Sequence, residues 1–175
     1  TSPKDFKTPA DYDNRLAELC LEHKADLVCL AGFMLKLGPE LLRTFENRIM
    51  NVHPALLPAF GGKGMYGMKV HEAVLAAGAR VSGATVHFVT EAYDSGPVIL
   101  QAAAGVSASD TAETLAKKVA GLEHTLYPKA VGLFCRCGEG SCLSVEAAAT
   151  RGDRAYVRRH ANMGDGVTLL HERLL

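Results

Sequence analysis

Asn51 and His53 stand two residues apart in the stretch IMNVHPALLPAF, Ile49 to Phe60, where a short apolar run ends and two prolines turn the chain away. An asparagine amide can donate to an oxygen that is gaining negative charge. Histidine is the side chain whose ordinary pKa lies nearest neutrality, so it can hold or move a proton there. In an extended segment this spacing puts both side chains on one side. A third polar group, Asp94, lies in the turn-like Tyr-Asp-Ser-Gly of residues 93–96, between two further apolar runs. Together the three fit acyl-type chemistry. Each also has an ordinary structural alternative: Asn51 capping a turn, His53 as a satisfied buried ring, and Asp94 bonding its own backbone.

The elements that must position these groups follow from pattern. Asp11 or Asp13 is expected to cap a helix over 13–23, with Leu16, Leu19 and Cys20 at helical spacing. Residues 25–31 (ADLVCLA) read as a buried parallel strand, Pro39 as the first turn of a short helix to Phe45, and 48–53 as the next strand. A helix over 69–77 is stopped by Gly78, a strand covers 82–89, and its neighbour begins at 97–103. Asp110 or Thr111 caps a long helix to about Phe134, whose apolar face is marked by Leu115, Val119, Leu122 and Leu126. This succession predicts a three-layer α/β domain.

Bulk properties narrow the function classes. A chain of 175 residues, 48% hydrophobic, holds one domain with a sizeable core. Nineteen basic and nineteen acidic residues cancel, which gives no electrostatic case for nucleic acid or a membrane surface as partner. No apolar run approaches bilayer-spanning length and no secretory pattern opens the chain, so a cytoplasmic protein is expected. Five cysteines, an odd number, favour a reducing compartment over a disulfide framework. The chain begins at Thr1, which processing or truncation would explain. Beyond residue 134 the composition changes: all nine lysines lie at or before Lys129, and six of the ten arginines at or after Arg136. The expected division is therefore a main domain over 1–134 and an atypical appendage over 135–175, irregular or edge-strand in structure, with a helix only near 145–150.

The remaining motifs are weaker. GGKGMYG at 61–67 places Gly61, Gly62, Gly64 and Gly67 around Lys63, a segment suited to a mobile loop or an ordinary turn; its spacing is not that of a nucleotide phosphate loop. His71-Glu72 lacks the second histidine of a metalloprotease helix, and His87 can equally line a pocket or fill a gap. Cys135, Cys137 and Cys142, with His160 or His171, depart from the common zinc spacings, so no metal site is expected. Cys20 and Cys29 read as small core residues.

Four stretches carry a resemblance: LAGFM at 30–34, NVHPALLPAF at 51–60, GATVHFVTEAYDSGPVILQ at 83–101 and EHTLYP at 123–128. Over about residues 5–134 the chain resembles the phosphoribosylglycinamide formyltransferases, folate-dependent enzymes of purine synthesis. The Asn-His-Asp pattern is shared with methionyl-tRNA formyltransferases and formyltetrahydrofolate hydrolase, whereas His53-Pro54, LAGFM and the Glu123-His124 and Tyr127-Pro128 pairs favour the glycinamide enzyme. The resemblance implies a Rossmann-like formyltransferase domain with a mostly parallel central sheet. It implies transfer of formyl from 10-formyltetrahydrofolate, a co-substrate, to the amine of 5-phosphoribosylglycinamide, with no metal required, by a monomer or weak homodimer. Asn51, His53 and Asp94 are then the catalytic group. Phe33, Met34, Leu35, Leu37, Thr90, Glu91 and Tyr93 enclose the folate, with His87 at the border of the cleft. Glu123 binds ribose hydroxyls, and 61–67 is the mobile loop.

Three departures from the family pattern accompany the resemblance. Leu35-Lys36 follow Phe33-Met34 where arginine is commonest. The family's first strand and its glycine-rich phosphate loop have no counterpart, so the domain is expected to be incomplete at its N-terminus. Leu27, Val28 and Leu30 are then expected to have a bare sheet edge or another partner. The tail after Phe134 differs from the usual C-terminal strands. A truncated, catalytically silent domain is the non-enzyme alternative.

Overall fold

Thr8 starts the first helix. Its hydroxyl accepts from the Asp11 N–H, the Asp11 carboxylate accepts from the Thr8 N–H, and Pro9 supplies the first helical residue. Helix α1 therefore runs Pro9–Glu22, four residues earlier than an Asp13 start, and neither expected aspartate is its N-cap. The Thr8–Asp11 box closes the helix end and leaves Asp13 free to turn inward. The computed structural model describes residues 3–33, 35–136 and 167–170, with Arg136 and the last four by backbone alone. After α1 come β1 (Leu27–Leu30), α2 (Pro39–Thr44), β2 (Ile49–His53), α3 (Met68–Ala76), β3 (Val81–Phe88), β4 (Val98–Gly105), α4 (Ala112–Arg136) and β5 (Val167–Leu170). The predicted helix near 145–150 and the candidate zinc residues Cys137, Cys142, His160 and His171 lie outside the described residues.

The five strands form one sheet in the order β4-β3-β2-β1-β5. Strands β1 and β2 pair in parallel, as do β1 and β5, while β2–β3 and β3–β4 are antiparallel. The sheet is mixed rather than mostly parallel. Between β3 and β4 the short, helix-free segment 89–97 cannot make the crossover that a parallel return needs, so the chain folds back on itself. β1 has a partner on each side: Leu27 to Leu30 lie opposite Val167 to Leu170 along β5.

Side chains of β1 alternate between two cores. Val28 and Leu30 pack with Tyr12, Leu16, Ala17 and Cys20 of α1 and with Leu41 of α2. Leu27 and Cys29 pack with Val74 of α3 and with Leu115, Val119, Leu126 and Ala130 of α4. Helices thus cover both faces, the three-layer arrangement that the pattern predicted. Thr111 opens α4: its hydroxyl accepts from the Thr114 N–H, and its own N–H donates to the Thr114 hydroxyl.

Asp13 joins the first two helices. It is 4% exposed, and its carboxylate accepts from the N–H groups of Gly38 (3.0 Å), Glu40 (2.8 Å) and Leu41 (3.3 Å). The N-cap of α2 is Gly38, which has no side chain to offer, so Asp13 caps that helix from outside. A Cβ at position 38 would collide with this carboxylate. Asp13→Ala, which strips three N–H donors, one buried and two partly buried, of their acceptor, is expected to lower unfolding stability by about 2 kcal/mol. Urea denaturation checks this; an unchanged midpoint refutes the cap.

Candidate active site

The antiparallel register of β2 and β3 sets Asn51 opposite His87 and His53 opposite Thr85. Residues two apart on a strand share a face, so four polar side chains meet on one side of the sheet. Asp94 completes the group from the loop between β3 and β4, in a left-handed backbone conformation with φ of 52°. That loop approaches β3 closely, for the Phe88 N–H donates to the Pro97 carbonyl at 2.9 Å. A Cβ at Gly96 would overlap the Phe88 carbonyl oxygen, so only glycine permits the approach.

His53 is 3% exposed. Its Nε2 lies 2.8 Å from the Phe60 carbonyl oxygen, which can only accept, so Nε2 carries a proton. Its Nδ1 faces Asp94 Oδ2 at 3.5 Å. Both ring nitrogens look at acceptors, an arrangement that a doubly protonated ring satisfies. Asp94 Oδ2 also accepts from the Gly62 N–H at 2.8 Å, tying the start of the glycine-rich segment to the cluster.

His87 is the opposite case. Its Nδ1 donates to the Phe88 carbonyl at 2.9 Å, and Nε2 accepts from Asn51 Nδ2 at 3.3 Å. Burial holds its pKa below the ordinary histidine value. The Phe88 carbonyl and Asp94 pull upward with less effect, and nearby His53 adds to the lowering. Its Nε2 is 3.7 Å from Asp94 Oδ1, a proximity and not an ion pair while the ring is neutral. His87, placed by resemblance at the cleft border among the folate residues, is here 2% exposed and sits beside Asn51 and Asp94 within the polar cluster.

The segment after His53 is held by a small network. Thr85 Oγ1 donates to the Ala55 carbonyl at 2.7 Å and accepts from the Leu57 N–H at 3.0 Å. Gln101 Nε2 reaches both the Leu57 carbonyl and Thr85 Oγ1 at 2.9 Å. The Leu57–Pro58 peptide is cis. Thr85, Gln101 and the Phe60 carbonyl were not singled out from sequence. Thr85 had a visible signal, because with His87 it repeats on β3 the spacing of Asn51 and His53.

The other predicted residues lie elsewhere. Phe33 is half-buried against the α1–α2 core, Leu37 is buried, and Leu35, Thr90, Glu91 and Tyr93 are exposed. Met34 lies outside the described residues. Lys36 Nζ stands 5.9 Å from the centre of the Tyr93 ring. A surface depression of about 610 Å³ is lined by Leu37, Thr90 and Glu91 together with Lys36 and Arg43. Another, of about 400 Å³, is lined by Phe33, Leu35 and Leu37 with Phe6 and Tyr12. Neither reaches Asn51, His53 or Asp94. Of the glycine-rich segment, Gly61 and Gly62 are half-buried, while Lys63, Gly64 and Gly67 are exposed. Glu123, on α4, is half-buried, and burial pushes its carboxyl pKa up. Among the described residues no group of three or more His, Cys, Asp or Glu side chains could hold a metal ion. No described helix is long and apolar enough to cross a membrane.

The family model for formyl transferases matches residues 1–131. The chain belongs to that family. It is 50% identical over 135 residues to the chloroplastic phosphoribosylglycinamide formyltransferase of Arabidopsis thaliana, covering 76% of this chain and 46% of the plant protein. It is 37% identical over 129 residues to the Bacillus subtilis phosphoribosylglycinamide formyltransferase, covering 74% and 64%. The solved glycinamide ribonucleotide transformylase 1 of Symbiobacterium toebii superposes with a TM-score of 0.72 at 41% identity, covering 81% of this chain and 66% of that one. The chain thus spans about half the length of the plant relative.

Two buried histidines are expected to make this domain acid-sensitive. His71 on α3 is 4% exposed, its Nδ1 has no partner among the described residues, and burial, reinforced by nearby His53, lowers its pKa as it does for His87. In the unfolded chain both rings take up protons below about pH 6.5, while the folded domain resists doing so. Their contribution to stability is whole above that pH and is lost as pH falls through the lowered folded values. Thermal melts at pH 7.5 and 5.5 are expected to show a drop in Tm that is smaller in His71→Leu than in the parent. Equal drops refute the assignment.

Proposed function

We propose that this chain carries the formyl-transfer centre of a phosphoribosylglycinamide formyltransferase. Its substrates on this reading are 10-formyltetrahydrofolate as donor and the primary amine of 5-phosphoribosylglycinamide as acceptor. The observation that carries the proposal is the meeting of Asn51, His53 and Asp94, with His87, in one partly buried cluster on a domain of this family. The names of the relatives support the choice of acceptor.

The amine attacks the formyl carbon, and negative charge develops on the formyl oxygen. Asn51 Nδ2 has two protons. One is directed at His87 Nε2, which holds the amide plane, and the other is available to the oxyanion. A neutral His87 is what this needs, because a protonated Nε2 would repel the amide. His53 adds positive charge beside the oxyanion, and Asp94 orients it. As the tetrahedral intermediate collapses, the carbon–nitrogen bond to the folate breaks. The proton lost by the amine is passed, through His53, Asp94 and water, to the departing folate nitrogen. The His53 Nε2–H is engaged by the Phe60 carbonyl, so its access to substrate requires Phe60 and the following 61–67 segment to shift. Movement of that segment would make it the proposed mobile loop.

On this reading, Phe33, Met34, Leu35, Leu37, Thr90, Glu91 and Tyr93 form the folate wall, and the depression lined by Leu37, Thr90 and Glu91 supports that placement. Glu123 is the proposed partner of the ribose hydroxyls. The proposed protein works in an aqueous compartment without metal, as a monomer or weak homodimer, with neither nucleic acid nor membrane as partner. The cytoplasm is its proposed location.

Incubation with labelled formylfolate, with and without the amine acceptor, tests the reaction. Acceptor-dependent transfer is expected, and formate release without acceptor would point instead to a hydrolase. Asn51→Ala is expected to lower kcat about 100-fold with a much smaller change in KM, since the donor matters most at the oxyanion. A raised KM with unchanged kcat refutes that role.

A further inference from the structure

Tyr127 lies on α4, on the sheet face opposite the catalytic cluster. Its hydroxyl stands 2.8 Å from the Leu30 carbonyl oxygen and 2.9 Å from the Met50 carbonyl oxygen. Both carbonyls are acceptors only, so the single hydroxyl proton is shared between two strands. Neither contact is incidental to the site. The Met50 carbonyl belongs to the peptide whose N–H is that of Asn51, and Leu30 is the register partner of Asn51 across the β1–β2 pair. The hydroxyl therefore bridges the seam at the point where β2 delivers its amide. Burial pushes the pKa of Tyr127 upward, which keeps the proton in place for donation. The ring packs beside a core that includes Cys29, Met50, Leu126 and Ala130. Loss of the hydroxyl alone leaves that packing intact.

We propose that Tyr127 is a positioning residue for Asn51: by bonding the Met50 and Leu30 carbonyls together it fixes the peptide that carries the amide donor. The proposal rests on the formyl-transfer reading for its kinetic consequence, and not for its structural one. An oxyanion donor is effective only when held close to its productive geometry, and a displacement of the order of 1 Å is costly. Side-chain reach cannot compensate, because His87 already holds the Asn51 amide at 3.3 Å. A shift of the strand would draw the amide from its partner or from the reacting oxygen.

The test uses Tyr127→Phe in the full chain. Formyl transfer from 10-formyltetrahydrofolate to 5-phosphoribosylglycinamide is expected to fall about tenfold in kcat, with KM for either substrate changed less than about twofold. In an Asn51→Ala background the same change is expected to cost nothing further, because the residue acts through Asn51. A lower Tm with unchanged kcat at 25 °C, or additive effects in the double variant, overturns the proposal. The Asn51 side-chain amide resonance, assigned by its loss in Asn51→Ala, gives a readout free of turnover. A shifted or broadened signal in Tyr127→Phe supports positioning, and an unmoved one overturns it. If the parent chain transfers no formyl group, the functional reading fails, and the resonance still decides the role of Tyr127.

Discussion

One register governs the site. Because Asn51 faces His87 and His53 faces Thr85 across an antiparallel pair, four polar groups from two strands share a face. A slip of one residue would send one strand's pair to the opposite face and bring Met50 or Val52 in its place. The same alternation keeps the two cores apart, with Val28 and Leu30 on one side of β1 and Leu27 and Cys29 on the other. Helices on both faces therefore do more than bury apolar area. They make the slipped register costly, since it would exchange core residues for buried polar ones.

Within that register the two histidines differ in the partners their ring nitrogens meet. His53 is given two acceptors, a carbonyl and a carboxylate; His87 is given one acceptor and one donor. A single carboxylate, Asp94, lies near both rings, yet it faces the ring whose other nitrogen is already committed to donation. Burial lowers the pKa of His71 and His87, and the nearness of His53 adds to the lowering. Like charges so close would be costly in a site this buried.

Much of the frame was legible from pattern. Strand β2 was expected over 48–53 and runs 49–53, and helix α3 was expected over 69–77 and runs 68–76. Short apolar runs bounded by proline or glycine leave little freedom in such readings. The start of α1 was misplaced because TSPKDFKTPADYD reads as a polar loop, while the reciprocal Thr8–Asp11 bonds that close the helix end are a matter of geometry. The sheet is mixed because β2–β3 is antiparallel although α3 lies between the two strands, and β3–β4 is antiparallel across a helix-free return. The place of His87 required the register of β2 against β3, a long-range fact. So did the contacts of Tyr127, which join residues 97 and 77 positions apart in the chain. Local periodicity carries no information about either.

The close approach of residues 88–97 divides the Asp94 loop by tolerance to change. At position 96 there is no volume for any side chain beside the Phe88 carbonyl, so variation there would have to rebuild the loop. Thr90, Glu91, Ala92 and Tyr93 face solvent a few residues away. A redesigner who wished to alter what the loop touches could exchange these four while the glycine keeps the carboxylate where it is. The loop thus joins one position closed to any side chain to an outer edge whose exposed residues set what it can touch.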